Sequence, residues 1–261
     1  MLFYEDFDVN GEKTLCEMGG KNKEMLMTIK VKKLPAGGKY EIFSPVNETA
    51  VLILGGDMDI SWEYGGKIFT ENMKRKDPFE KKPFCLHTCK GVKISVEAAA
   101  DSEFIIQQTD NEREFAPVFY KPEDCLYQHF GKGQWDGTGY RICSTMFDYD
   151  NAPYSNMVMG EVFNQPGRWS SYPPHHHPQP EVYYYKFNPS QGFGACFNGD
   201  DVYKSIEGSW CTITDDNSHQ QVTSPGYEMY YVWMIRHLDG DPWFKTTRIY
   251  DKEHEWLVNA D

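Results

Sequence analysis

Short runs of β-branched and aromatic residues, each cut off by glycine or proline, recur along the whole 261-residue chain, and no long helical period interrupts them. The runs fall at 27–33, 50–54, 60–64, 92–98 and 104–108, then at 140–147, 158–163, 181–187, 194–197, 210–214 and 229–236. Aromatic residues make up 15% of the chain, with 22 glycines and 15 prolines between the runs. Strands this short at this spacing predict an all-β sandwich or barrel. Gly55-Gly56 and Gly65-Gly66 read as hairpin turns, because two glycines accept the positive φ such turns need. The stretch 74–82, dense in lysine, reads as a solvated surface loop.

The length allows one large β domain or two of medium size. The halves share a weak pattern: the separation of Glu48 from Glu181 nearly equals that of His87 from His219. Two β barrels of similar plan in one chain explain this, with an N-terminal barrel over 1–120, a linker rich in Pro, Gly, Asp and Lys over 121–139, and a C-terminal barrel over 140–261. Net charge is −13, which repels phosphates and excludes nucleic acid and anionic membranes as expected partners. No apolar run approaches the roughly 20 residues of a membrane-spanning helix. The acidic start, Met1 to Asp6, carries no signal-peptide pattern. Together with seven cysteines, an odd number, this predicts reduced thiols and a cytoplasmic protein.

The segment from Trp169 to Tyr185 carries the chemistry, because three of the eight histidines stand together in it as Pro174-His175-His176-His177-Pro178. In an extended strand His175 and His177 point one way and His176 the other. Glu181 opens the next strand after a short proline-braced turn, so a carboxylate can converge on the same point. His219, ahead of a later strand, is the natural fourth ligand. Three neutral imidazoles and one carboxylate accept Zn, Mn, Fe, Ni or Co. One divalent ion per chain is expected, with zinc the first choice. The competing reading is a surface histidine cluster, or a loop with one histidine hydrogen-bonded in the core. In the first half, the positions matching His175 and His177 are Ile42 and Ser44, so the N-terminal barrel is expected to be metal-free, with a structural or dimerising role in a homo-oligomer.

This arrangement resembles the first cupin motif. The longer string, from Gly160-Glu161 through Gly167-Arg168-Trp169 and Pro173-Pro174-His175 to Glu181-Val182-Tyr183-Tyr184-Tyr185, is similar to the 5-deoxy-glucuronate isomerases of inositol catabolism. Those sit with the 5-keto-4-deoxyuronate isomerases in one bicupin family. His219 followed by Pro225-Gly226-Tyr227 resembles the second motif, and the tail from Asp241-Pro242-Trp243 to Trp256 is similar too. Two loops depart from the pattern: Pro178-Gln179-Pro180 is shorter, and 214–218 differs.

The resemblance implies two cupin barrels and a metal-dependent aldose–ketose isomerase acting on a deoxyuronate-type sugar acid. Such an enzyme moves a proton between adjacent carbons through an enediolate, stabilised by a Lewis acid and served by a general base. Strand alternation places Tyr183 and Tyr185 on the side of Glu181, where they read either as catalytic cavity residues or as barrel core with satisfied hydroxyls. Arg168 reads as the partner of a substrate carboxylate or as a surface arginine. Glu161 reads as a base, as an anchor for a ligand histidine, or as an ordinary strand-end carboxylate. Rival functions are a metal-dependent cupin dioxygenase and a non-catalytic sugar-binding cupin.

Overall fold

In a computed structural model, which describes residues 1–214 and 217–259, the chain is built of β-strands, and the only helical segments among the described residues are five short 3-10 turns. It divides into two compact units. One comprises residues 6–125 and 152–156; the other comprises 1–5, 126–151 and 157–261.

These limits differ from the expected 1–120, 121–139 and 140–261. Leu2–Phe3 pairs with Trp210 and Cys211, which draws the N-terminus into the unit of the second half. Leu126–Phe130 is an antiparallel strand against Arg141–Phe147, so the expected linker holds a hairpin. Its glycines, Gly131, Gly133 and Gly137, sit at positive φ in the connection between those two strands. A glycine-rich linker and a glycine-rich hairpin loop have the same composition, which is why the boundary was misplaced.

The unit of 6–125 is organised by one 18-residue strand, Asn47–Tyr64. Its first half pairs with Cys85–Thr88 and Ser102–Asp110, and its second half with Lys67–Arg75 and Ile94–Ala98. Gly55-Gly56 is therefore not a turn. It lies at a register shift where the strand passes from one set of partners to the other. Gly56 has φ 116°, and a Cβ there would stand 2.3 Å from Ser102 Oγ, so glycine permits a close backbone approach. Gly65-Gly66 does form the expected hairpin turn, with φ of 60° and 73° between the paired Tyr64 and Lys67. The core is aliphatic, with Val51, Ile53, Ile60, Leu86 and Ile106 among its buried residues. Much of 67–75 belongs to the exposed arm of this hairpin, so its polar sequence hid a strand.

The second unit carries a seven-stranded sheet ordered Leu2–Phe3, Trp210–Ile213, Glu181–Asn188, Glu228–Arg236, Met157–Asn164, Arg141–Phe147, Leu126–Phe130. A smaller sheet joins Trp169–Ser170, Gln221–Thr223, Phe193–Asn198 and Asp201–Ile206. The two central strands run antiparallel, with Glu181 opposite Ile235, Tyr183 opposite Trp233, Tyr185 opposite Tyr231 and Phe187 opposite Met229. Apart from Glu181, all of these belong to one buried cluster, so the period-2 alternation aims a whole aromatic row inward. On the neighbouring strand, Gly160 lies opposite Trp233, and a Cβ there would fall 2.3 Å from the indole Cε2. Glycine at this place gives the Trp233 ring its room. All seven cysteines are buried and unpaired with one another, as core thiols. Among the described residues no helix is long and apolar enough to cross a membrane.

Candidate metal centre and its cavity

The prolines on either side of the histidine run leave only a two-residue strand, His175–His176, which pairs with Ile249–Tyr250 of the tail. That pairing sets the expected alternation. His175 and His177 are buried, whereas His176 is turned toward Asp251, with Nδ1 3.4 Å from the carboxylate. Glu181, at the head of its strand, and His219, just before Gln221–Thr223, are also buried. Asp215 and Asp216, in the loop that departs from the family pattern, lie outside the described residues.

The donor atoms of His177, Glu181 and His219 all lie within 4.8 Å of one another. His177 Nε2 is 3.2 Å and His219 Nε2 3.4 Å from Glu181 Oε2. His175 stands one step outside this trio, its ring centroid 4.8 Å from that of His219. Every one of the three rings is anchored through its other nitrogen. His175 Nδ1 bonds Pro173 O at 2.7 Å, His177 Nδ1 bonds Gln179 O at 3.0 Å and His219 Nδ1 bonds Asn217 O at 3.1 Å.

A carbonyl only accepts, so Nδ1 carries the proton in each ring and Nε2 presents a bare lone pair. Burial keeps His219 and His175 neutral: it draws His219 down to about 4 despite the adjacent Glu181, and with His219 and Arg248 close by it holds His175 well below its ordinary value. Lone pairs on two nitrogens and a carboxylate thus face each other in a buried place. Such an arrangement repels itself unless a cation sits among them, and this donor set suits a divalent metal.

The same four side chains line a cavity of about 550 Å³ including its open mouth, walled by aromatic residues such as Phe130, Tyr183, Tyr231, Trp233 and Trp243. The hydroxyls of Tyr183 and Tyr231 share Ser171 Oγ, at 3.0 and 3.4 Å. Burial, reinforced by the Glu181 charge, pushes the Tyr183 hydroxyl well above its ordinary pKa, and burial does the same for Tyr231. Both remain protonated donors.

Three of the expected catalytic residues are placed elsewhere. Tyr185 points into the barrel on the same face as Tyr183 but deeper. Its hydroxyl donates to Gln221 Oε1 at 2.8 Å and lies 3.0 Å from Cys211 Sγ, a satisfied core tyrosine. Glu161 alternates with the cavity-lining Val162 and so faces the other side of the sheet, where Tyr230 donates to it at 2.5 Å. Arg168 does not line the cavity; its guanidinium lies over the Tyr140 ring at 5.3 Å.

The cations that do line the cavity are Arg141, Lys245 and Arg248, none of them singled out from the sequence. A signal existed for one. Arg248 lies two residues before Tyr250, which pairs with His175, and inside the tail that resembles the family.

The family model described as KduI/IolB matches residues 3–257. The 5-deoxy-glucuronate isomerase of Halalkalibacterium halodurans is 24% identical over 248 residues, which is 89% of this chain and 88% of that protein. An IolB-like protein from Salmonella typhimurium LT2 superposes with a TM-score of 0.78 at 20% identity, over 89% of this chain and 90% of its own. An oxalate decarboxylase from Bacillus subtilis, with Mn(II) centres, superposes with a TM-score of 0.62 at 11% identity, over 92% of this chain and 74% of its own. The structural likenesses carry a cupin-like, all-β fold. On a match spanning nearly its whole length, the chain belongs to the KduI/IolB family.

Proposed function

We propose that this protein is a metal-dependent aldose–ketose isomerase acting on a deoxyuronate-type sugar acid, with 5-deoxy-glucuronate converted to 5-dehydro-2-deoxy-gluconate as the first reaction to test. The observation that carries the reading is the set of three imidazoles, each pinned through Nδ1, that line with the Glu181 carboxylate an aromatic cavity also lined by cations. The name borne by the Halalkalibacterium halodurans relative supports the substrate class.

His175, His177, Glu181 and His219 would hold one divalent ion. Zinc is our first assignment, and the Mn(II) centres of the oxalate decarboxylase support manganese as the second. When bound, the ion supplies a Lewis acid that stabilises negative charge developing on the carbonyl and hydroxyl oxygens of the substrate. Tyr183 Oη, neutral and fixed by Ser171, donates to a substrate oxygen as that charge grows. Trp233 and Trp243, with ring centroids 5.4 Å apart, keep bulk water from the reacting carbons. The buried cysteines, none of them in a disulfide, support a reducing, cytoplasmic setting.

The test is turnover of 5-deoxy-glucuronate by metal-loaded protein in deuterated water, with the metal quantified. Deuterium on the carbon beside the new carbonyl and no oxygen uptake are expected. Stoichiometric oxygen consumption would replace the isomerase with a dioxygenase, and binding without turnover would leave a sugar-binding protein.

A further inference from the structure

A chain at −13 does not draw anions from a distance, so an acidic substrate has to be captured inside the cavity. Three cations line it, and they are not equivalent. Lys245 is already paired with Asp148, and Asp150 stands 3.4 Å from it. Arg141 and Arg248 have no carboxylate partner among the described residues.

Arg141 is buried and oriented by main-chain carbonyls, donating from Nη1 to Gly139 O and from Nη2 to Tyr172 O, each at 3.0 Å. Carbonyls set its direction but leave its charge uncompensated, and a guanidinium has further N–H donors to offer. Arg248 approaches from the tail. Both guanidiniums pack on one ring, Phe130, with Cζ 5.2 Å from the centroid for Arg141 and 5.6 Å for Arg248. Burial, with a smaller contribution from the Arg248 charge, draws Arg141 down to about 10. Arg248 is also anchored next to the cluster, since Ile249–Tyr250 pairs with His175–His176. Glu181, the carboxylate of the same cavity, faces His177 and His219 and pairs with neither guanidinium.

We infer that Arg141 and Arg248, seated on Phe130, form the subsite that receives the carboxylate of the sugar acid and thereby point its carbonyl end at the His175, His177, Glu181 and His219 cluster. This rests on the proposed substrate class and adds which residues read the acid. Planar guanidiniums match a carboxylate bidentately, which an ammonium does not.

The experiment is calorimetric titration of the metal-loaded protein with D-glucuronate and, as the uncharged counterpart, glucuronamide. The wild type should bind the acid at least about tenfold more tightly than the amide, the scale of a charge-assisted hydrogen bond. Arg248→Gln should erase that preference with metal content and melting temperature unchanged, and Arg168→Ala should keep it. Arg141→Lys, which retains charge without the fork, should lose part of it. Equal affinity for acid and amide in the wild type, binding of neither at millimolar concentration, or an intact preference in Arg248→Gln each overturns the subsite. If the preference behaves as stated but 5-deoxy-glucuronate is not turned over, the isomerase reading fails and the acid subsite stands.

Discussion

Each unit buries a histidine against a glutamate, and the two pairs are built for opposite purposes. In the unit of 6–125 and 152–156, His87 Nε2 lies 2.9 Å from Glu48 Oε2, with both side chains fully buried. Glu48 also accepts from Ser155 Oγ at 2.9 Å, Asn111 Nδ2 at 3.1 Å and the Asn156 amide at 2.6 Å. Four donors use up its lone pairs, and the His87 ring packs against Phe115 at 4.9 Å. In the other unit, the Glu181 oxygen faces two imidazole nitrogens whose protons are committed elsewhere. A buried His–Glu pair is therefore a structural clasp where donors complete it, and it becomes the proposed ligand set where acceptors are left facing one another.

Exchanging the roles of these two carboxylates is the most direct way to break that contrast. Glu181→Ala should lower metal affinity by at least about a hundredfold, beyond the loss seen for partners that only orient ligands, and should abolish turnover. Equilibrium dialysis with elemental analysis checks it. Glu48→Ala should do the reverse: metal content should hold, and stability should fall by about 3–5 kcal/mol in denaturant unfolding, because His87 and three other donors lose their buried partner. Loss of metal in Glu48→Ala would mean that the clasp is a second site.

Metal removal sharpens the same distinction. Metal present at about a thousandfold over its dissociation constant stabilises the protein by roughly 4 kcal/mol, so chelation should lower the melting temperature in the wild type and leave that of His177→Ala unchanged. Gly160→Ala should cost about 1–3 kcal/mol by pushing on the Trp233 indole, read by thermal melting. The smallest effect is expected at His176, which alternation turns away from the cluster. His176→Ala should retain metal and activity, and its failure to do so would shift the strand register by one residue.

How far the site was legible depended on how locally each residue is positioned. His175, His177 and Glu181 are brought together by one strand and one proline-braced turn, so period-2 alternation alone aims them. His219 arrives from three strands further on, just before Gln221–Thr223 of the smaller sheet. Glu161 misled because Val158, Gly160 and Val162 alternate with Met159, Glu161 and Phe163, and both faces of that strand are buried and mostly apolar. Where the faces look alike, alternation gives no direction to a carboxylate. Arg168 is near His175 in sequence, but the short strand that follows it, Trp169–Ser170, belongs to the smaller sheet, and its guanidinium lies over Tyr140. Tyr185 shares a face with Tyr183 and differs only in depth, which no periodicity encodes.

The sequence by itself determined the β architecture, because runs of β-branched and aromatic residues between glycines and prolines leave the backbone little else to form. It also pointed to His175, His177 and Glu181 as proposed ligands, because their placement is written over a few neighbouring residues. The tertiary structure alone decided where one unit ends, why Gly55-Gly56 is a bulge and Gly65-Gly66 a turn, and which of several arginines enter the cavity. Those outcomes depend on pairings across long stretches of chain: Phe3 with Trp210, Gly55 with Glu103, Tyr250 with His175. Register between distant strands is set by the sum of their packing and hydrogen bonds, and no local run of residues carries that sum.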